Sequence, residues 1–259
     1  MGTVVVTGVA GGIGAATASL LVRTGHRVIG VDVPGSGADV EADLATPEGR
    51  AAMVAAVGES AAGAVDGVVA GAGVQGKPGD LTVSVNYFGA VATLAGLRPL
   101  LARGRHPSAV AIASNSATTQ PGVPVDVAEA CLAGDEDEAR RLAAGDRHGL
   151  GAYAAAKLAL ARWVRRHAPG DDWVREGIRL NAVAPGFIAT PMTEGIGDMV
   201  FGLGDVYPMP MGRAGTAAEV AALLAFLLSP DAAFFCGSVL TMDGGTEAAL
   251  RPDDWPSAL

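Results

Sequence analysis

Four glycines punctuate Thr7-Gly8-Val9-Ala10-Gly11-Gly12-Ile13-Gly14, which joins the β-branched run Val4 to Thr7 to the Ala-rich stretch Ile13 to Thr24. Missing side chains at Gly8, Gly12 and Gly14 permit a tight strand-to-helix turn and a close backbone approach to a ligand. The free N–H groups of the helix start then suit a pyrophosphate. A chain that opens this way commits its first strand to a βαβ unit, and such a strand needs parallel neighbours. Arg27 to Val31, Asp66 to Ala70, Ser108 to Ser114, Ile178 to Ala184 and Ser238 to Met242 read as those neighbours. Their near-continuous apolar text indicates burial on both faces. Helices read at Pro47 to Ser60, Leu81 to Leu101, Ala152 to His167 and Ala217 to Leu228, alternating with the strands.

No internal repeat and no Pro-, Gly- or Ser-rich linker divides the 259 residues, so one α/β, doubly wound domain over 1–259 is expected. Half of the residues are apolar, enough for a large core, yet no run approaches the roughly 20 residues of a membrane span. The start at Met1 runs straight into strand-like residues with no export signal, so a cytoplasmic address and no membrane partner are expected. Cys131 and Cys236 stand far apart without metal-type spacing and read as reduced structural thiols, and no metal is expected. A net charge of −9 repels phosphate backbones, which argues against nucleic acid. The acidic run Asp135-Glu136-Asp137-Glu138 reads as a solvated helix start, with Glu136–Arg140 and Asp137–Arg141 at i,i+4.

Asp32 ends the second strand at the distance from the glycines where a carboxylate accepts ribose hydroxyls. It disfavours a 2′-phosphate: two phosphate charges about 4 Å away cost roughly 2 kcal/mol even at the dielectric of water. No Lys or Arg stands in the glycine turn or directly after Asp32, so NAD is expected over NADP, although a carboxylate here also suits plain turn capping. Tyr153 and Lys157 stand one helical turn apart on one face. An ammonium roughly 5 Å from the phenol oxygen would lower its pKa by some two units, towards proton exchange near neutrality. Such spacing is by itself common on ordinary helix surfaces.

Taken together, Thr7 to Gly14, Tyr153-Ala154-Ala155-Ala156-Lys157 and Val85-Asn86-Tyr87-Phe88-Gly89 make the chain resemble the short-chain dehydrogenase/reductase family along nearly its whole length. The resemblance implies a Rossmann-type domain with a mostly parallel seven-stranded sheet flanked by helices. It also implies an enzyme that interconverts a secondary alcohol and a carbonyl. Tyr153 would be its proton-transferring residue, with Lys157, Asn86 and a serine beside it. Aligning on Ile112-Ala113-Ser114-Asn115-Ser116 selects Ser114 as that serine and leaves Ser116 as the lesser candidate. By the same resemblance Asp43 and Leu44 contact the adenine, and Pro185, Gly186, Ile188 and Thr190 hold the nicotinamide end. Together with Gly8, Gly12, Ile13, Gly14, Asp32, Gly71, Tyr153 and Lys157 these form the expected NAD site.

One departure is Ala70-Gly71-Ala72-Gly73, where the family usually reads Asn-Asn-Ala-Gly, so cofactor contact at Gly71 would be through backbone. Another is the long segment between Ser114 and Tyr153, an insertion at about 120–150. With Pro208 to Arg213 and Asp243-Gly244-Gly245, it is similar to the bacterial 3α-hydroxysteroid dehydrogenase/carbonyl reductase subgroup. The family's lid falls at about 187–213, and its stretch from Pro191 to Met211 is rich in Met and aromatic residues and lacks Lys and Arg. That suits a small hydrophobic alcohol or ketone, steroid-like, alicyclic or aromatic. An NADPH-dependent 3-oxoacyl carrier reductase and a redox-inactive NAD-binding scaffold are the alternatives. Many members of the family assemble through two helices that correspond here to Leu81 to Leu101 and Ala152 to His167. The insertion would cover that face, so a homodimer through Ala217 to Leu228 and the last strand is expected.

Overall fold

The computed structural model describes residues 2–254; Met1 and residues 255–259, the ends of the expected domain, lie outside them. Among the described residues the strands are β1 (Thr3–Thr7), β2 (Arg27–Asp32), β3 (Val40–Glu41), β4 (Gly67–Ala70), β5 (Ser108–Ile112), β6 (Arg179–Pro185), β7 (Ile188–Ala189), β8 (Gly215–Thr216) and β9 (Val239–Met242). The helices are α1 (Gly12–Arg23), α2 (Pro47–Ser60), α3 (Gly79–Val83), α4 (Ala90–Leu101), α5 (Ser116–Thr119) and α6 (Val125–Ala133). They continue with α7 (Glu136–Ala143), α8 (Leu150–His167), α9 (Gly197–Phe201), α10 (Ala217–Leu228) and α11 (Thr246–Leu250). A seven-stranded sheet runs in the order β3-β2-β1-β4-β5-β6-β9, and every adjacent pair in it is parallel. The fold is α/β and Rossmann-like.

The pleat sorts the valines of β1. Val4 and Val6 join Leu21, Val110, Val183, Leu224 and Leu227 on the face covered by α1 and α10, while Val5 joins Val68, Ala109, Leu97 and Leu160 on the other. Because both faces are covered, each strand is apolar at nearly every position rather than alternating. The chain leaves β1 for β2 and β3 on one side, then returns to β4, β5 and β6 on the other. Strand order therefore reverses beside β1, where a crevice opens outside the carboxyl ends of the strands.

Leu81 to Leu101, expected as one helix, is broken into α3, a π-turn at Ser84–Gly89 and α4. The insertion folds as α6 and α7, which pack on α8 and α3. Its acidic run pairs differently from the expected i,i+4 pattern. Asp135 caps α7 by accepting from the Glu138 amide, Glu138 pairs with Arg141, and Arg140 reaches Asp80 on α3. Glu136 turns inward to Arg50, because docking of α7 brings its first turn against a buried guanidinium. No described helix is long and apolar enough to cross a membrane.

Candidate active site

A cavity of about 670 Å³ opens at the strand-order reversal. Of the residues expected to hold a dinucleotide, Gly8, Gly12, Ile13, Gly14, Asp32, Asp43, Leu44, Gly71, Tyr153, Lys157 and Thr190 all line it. Gly8 has a φ of +79°, which favours glycine. At Gly14 a Cβ would collide with the carbonyl oxygen of Gly8, so the first turn of α1 lies directly against the glycine loop. Gly11, the residue before α1, has no side chain to cap the helix, and the first amides are left for a ligand. A Cβ at Gly71 would come within 2.8 Å of the Thr7 carbonyl oxygen, so an Asn there would not fit this backbone. The Thr7 hydroxyl accepts instead from the Gly71 and Ala72 amides, each at 3.0 Å, and ties β1 to the end of β4.

The Asp32 carboxylate lines the cavity while accepting from the Ala10 amide and from its neighbour Val33, each at 2.8 Å. It thus braces the glycine loop and keeps lone pairs for a further donor. Pro185, Gly186 and Ile188 lie behind the wall. Ile188 is buried against the α1 and α10 face, a Cβ on Gly186 would press on Asp243, and the Pro185 carbonyl accepts from the Asn115 amide at 2.9 Å. Thr190, Pro191 and Met192 supply the wall at that end.

Ser114 stands just beyond β5, and its oxygen accepts from the Ser116 hydroxyl at 3.0 Å. That leaves the Ser114 proton to point elsewhere, and Ser114 stands close enough to the Tyr153 phenol to favour its ionised form. Lys157, buried, donates to the Ile112 carbonyl at 2.7 Å, with Nζ 5.6 Å from the centre of the Tyr153 ring. Burial pulls the Lys157 ammonium down to about 8. Burial also raises the Tyr153 phenol, Ser114 opposes this, and the nearby Tyr207 adds to the rise. The expected lowering of the phenol by Lys157 is therefore overturned in this environment. Desolvation of the buried phenol is the largest cause.

Asn86 sits in the π-turn, fully buried, and pairs twice with Val74: Nδ2 donates to its carbonyl at 2.9 Å and Oδ1 accepts its amide at 2.8 Å. A Cβ on Gly73 would stand 3.1 Å from Asn86 Oδ1 and 3.8 Å from Lys157 Nζ, so both polar groups border the same small gap. Sequence reasoning missed the group next to Ser114. Asn115 Nδ2 donates to the Tyr207 oxygen at 2.9 Å and lies 3.1 Å from Asp243 Oδ2. Asn115 and Asp243 each follow a strand at its carboxyl end, which is the one signal that marks them.

Residues 2–125 match the family model described as short chain dehydrogenase, and residues 139–247 that described as Enoyl-(Acyl carrier protein) reductase. The chain is 39% identical over 259 residues to a 3-alpha-hydroxysteroid dehydrogenase/carbonyl reductase of Comamonas testosteroni, covering 97% of this chain and 99% of the relative. It is 30% identical over 286 residues to levodione reductase of Leifsonia aquatica, covering 95% and 94%. Among solved structures, the 3-alpha-hydroxysteroid dehydrogenase from Pseudomonas sp. B-0831, complexed with NADH, superposes with a TM-score of 0.89 at 44% identity, covering 97% of this chain and 99% of that one.

Proposed function

The chain belongs to the short-chain dehydrogenase/reductase family, and on that basis we propose that it is an NAD-dependent oxidoreductase interconverting a hydrophobic secondary alcohol and its ketone. The observation that carries this reading is the Tyr153–Lys157 pair lining the glycine-walled cavity, with Lys157 Nζ 5.6 Å from the centre of the Tyr153 ring and fixed on the Ile112 carbonyl two residues before Ser114. The cavity fits a dinucleotide. A side chain is excluded at Gly14, so the first turn of α1 lies against the glycine loop, the amides of α1 are uncapped, and Asp32 keeps acceptor capacity for ribose hydroxyls. Asp32 also favours NAD over NADP. When bound, NAD supplies or takes up the hydride at the carbinol carbon.

Tyr153 transfers the hydroxyl proton, donating it to the carbonyl oxygen in reduction. Ser114, whose oxygen is already satisfied by Ser116, holds that substrate oxygen with its own proton. Lys157, poised near 8, exchanges protons behind the phenol, and Asn86 borders the gap through which water reaches it. Asp43 and Leu44 support the adenine side, and Gly71 meets the cofactor through its backbone. Pro185, Gly186 and Ile188 position the segment that presents Thr190.

We read the chain as one catalytic domain with an insertion at about 120–150 and a lid at about 187–213. The apolar substrate follows from the lid. Met192, Met199, Phe201, Leu203 and Val206 are all exposed, and no Lys or Arg lies between Pro191 and Met211. A flexible apolar cover gains by folding onto an apolar molecule. The name of the family model matched by residues 139–247 favours the second reading, an acyl-carrier reductase; the lid holds no cation for its phosphate.

Catalytic efficiency with NAD should be highest for a hydroxysteroid, lower for a simple aryl alcohol and lowest for an anionic hydroxyacyl thioester. Tyr153→Phe should abolish turnover and still bind NAD. Turnover near wild type in that variant would overturn the mechanism, and a preference for the thioester would overturn the substrate reading.

A further inference from the structure

Arg50 is a charged residue buried to 8% exposure, on α2, outside the catalytic group. Its guanidinium is shared among three parts of the molecule. Nε donates to the Leu44 carbonyl at 2.8 Å and Nη2 to the Ala45 carbonyl at 3.1 Å, and both residues line the cavity. Nη2 also donates at 3.1 Å to the carbonyl of Ser84, the first residue of the π-turn that carries Asn86. Glu136, from the first turn of α7 in the insertion, closes on Nη1 and Nη2 at 2.6 and 2.7 Å in a two-point pair. The Phe88 ring lies 5.8 Å from the guanidinium carbon.

A planar fork can hold several fixed carbonyls at once, whereas a buried guanidinium without a counter-charge is strongly disfavoured. We propose that Arg50 and Glu136 are positioning residues for the dinucleotide site: the insertion, through Glu136, holds the guanidinium that fixes the Leu44–Ala45 wall and the start of the Asn86 turn. The insertion thereby belongs to the cofactor site from a distance, although none of its residues lines the cavity. Leu44 and Ala45 follow β3 at one sheet edge, while Lys157 bonds to β5. The effect at the Leu44–Ala45 wall is on binding, and it is read there.

The inference rests on the reading of the cavity as a dinucleotide site, and the test separates the two. NAD is titrated calorimetrically into the full-length wild type, Glu136→Gln, Arg50→Lys and the control Glu138→Gln, which removes an exposed pair on the same helix. Glu136→Gln and Arg50→Lys should each raise the Kd for NAD about fivefold, equivalent to about 1 kcal/mol. They should also speed amide exchange at residues 43–46 in NAD-free protein, while the control matches wild type in both. Should Glu136→Gln fold poorly, Glu136→Asp, which keeps the charge on a shorter arm, takes its place with the same expectation. A lower melting temperature with Kd and exchange unchanged would show a purely structural pair and overturn the proposal. Faster exchange at 43–46 in the two variants, together with a wild type that binds no NAD, would leave the strut and overturn the dinucleotide reading, and with it the assigned role.

Discussion

Asp32 meets two demands with one carboxylate: it braces the Ala10 amide of the glycine loop and faces the cavity. The roughly 2 kcal/mol penalty of a 2′-phosphate beside it corresponds to about a 30-fold preference for NAD over NADP in catalytic efficiency. Asp32→Ser should narrow that ratio to within about fivefold, since the hydroxyl keeps a bracing acceptor but removes the charge; an unchanged ratio in steady-state assays would rule out the electrostatic account. At Gly14 the expectation is steric. Gly14→Ala should bring no measurable NAD binding by calorimetry, because its Cβ has only the Gly8 carbonyl to displace. These residues were legible in the sequence because spacing alone sets their geometry. The direction of the Tyr153 pKa was not, since i,i+4 spacing reports how near an ammonium stands and says nothing of the desolvation of both groups.

Elements longer than one turn declare themselves through apolar periodicity, and β1, β2, β4, β5, β6, β9, α2 and α10 lie within two residues of their expected bounds. Two-residue β3 carries no pattern to read, and the π-turn at Ser84–Gly89 is invisible because one widened turn leaves the apolar face of a long helix in place. The lid shows a different gap. The sequence from Pro191 to Met211 reads as the apolar cover we propose, while one of its ties to the body, Tyr207 to Asn115, joins residues 92 positions apart in the chain. Tyr207→Phe removes that hydrogen bond and keeps the ring. It should raise KM for an apolar alcohol about threefold with the NAD Kd unchanged, in keeping with about 0.7 kcal/mol for one such bond. Equal KM values for variant and wild type would show that the fastening does not matter to substrate.

For the whole molecule, α6 and α7 pack on α8 and α3 and cover that face. At the opposite side of the sheet β9 is an edge strand, with Phe226 39% exposed on α10 and Phe234 fully exposed just before β9. We therefore expect a homodimer through α10 and β9 in small-angle scattering, and a tetramer would count against it. The order of the sheet also sets the order of events during synthesis. Strands β1 to β5, with the glycine loop and Asp32, can pair as soon as they leave the ribosome. Asp243, which steadies Asn115 beside Ser114, follows β9, the last of the described strands. The cavity wall formed by the glycine loop, Asp32, Asp43 and Leu44 thus precedes in the chain the wall formed by Tyr153, Lys157 and Thr190. Maturation of the site waits on a long-range parallel closure, slow compared with the microsecond growth of its helices.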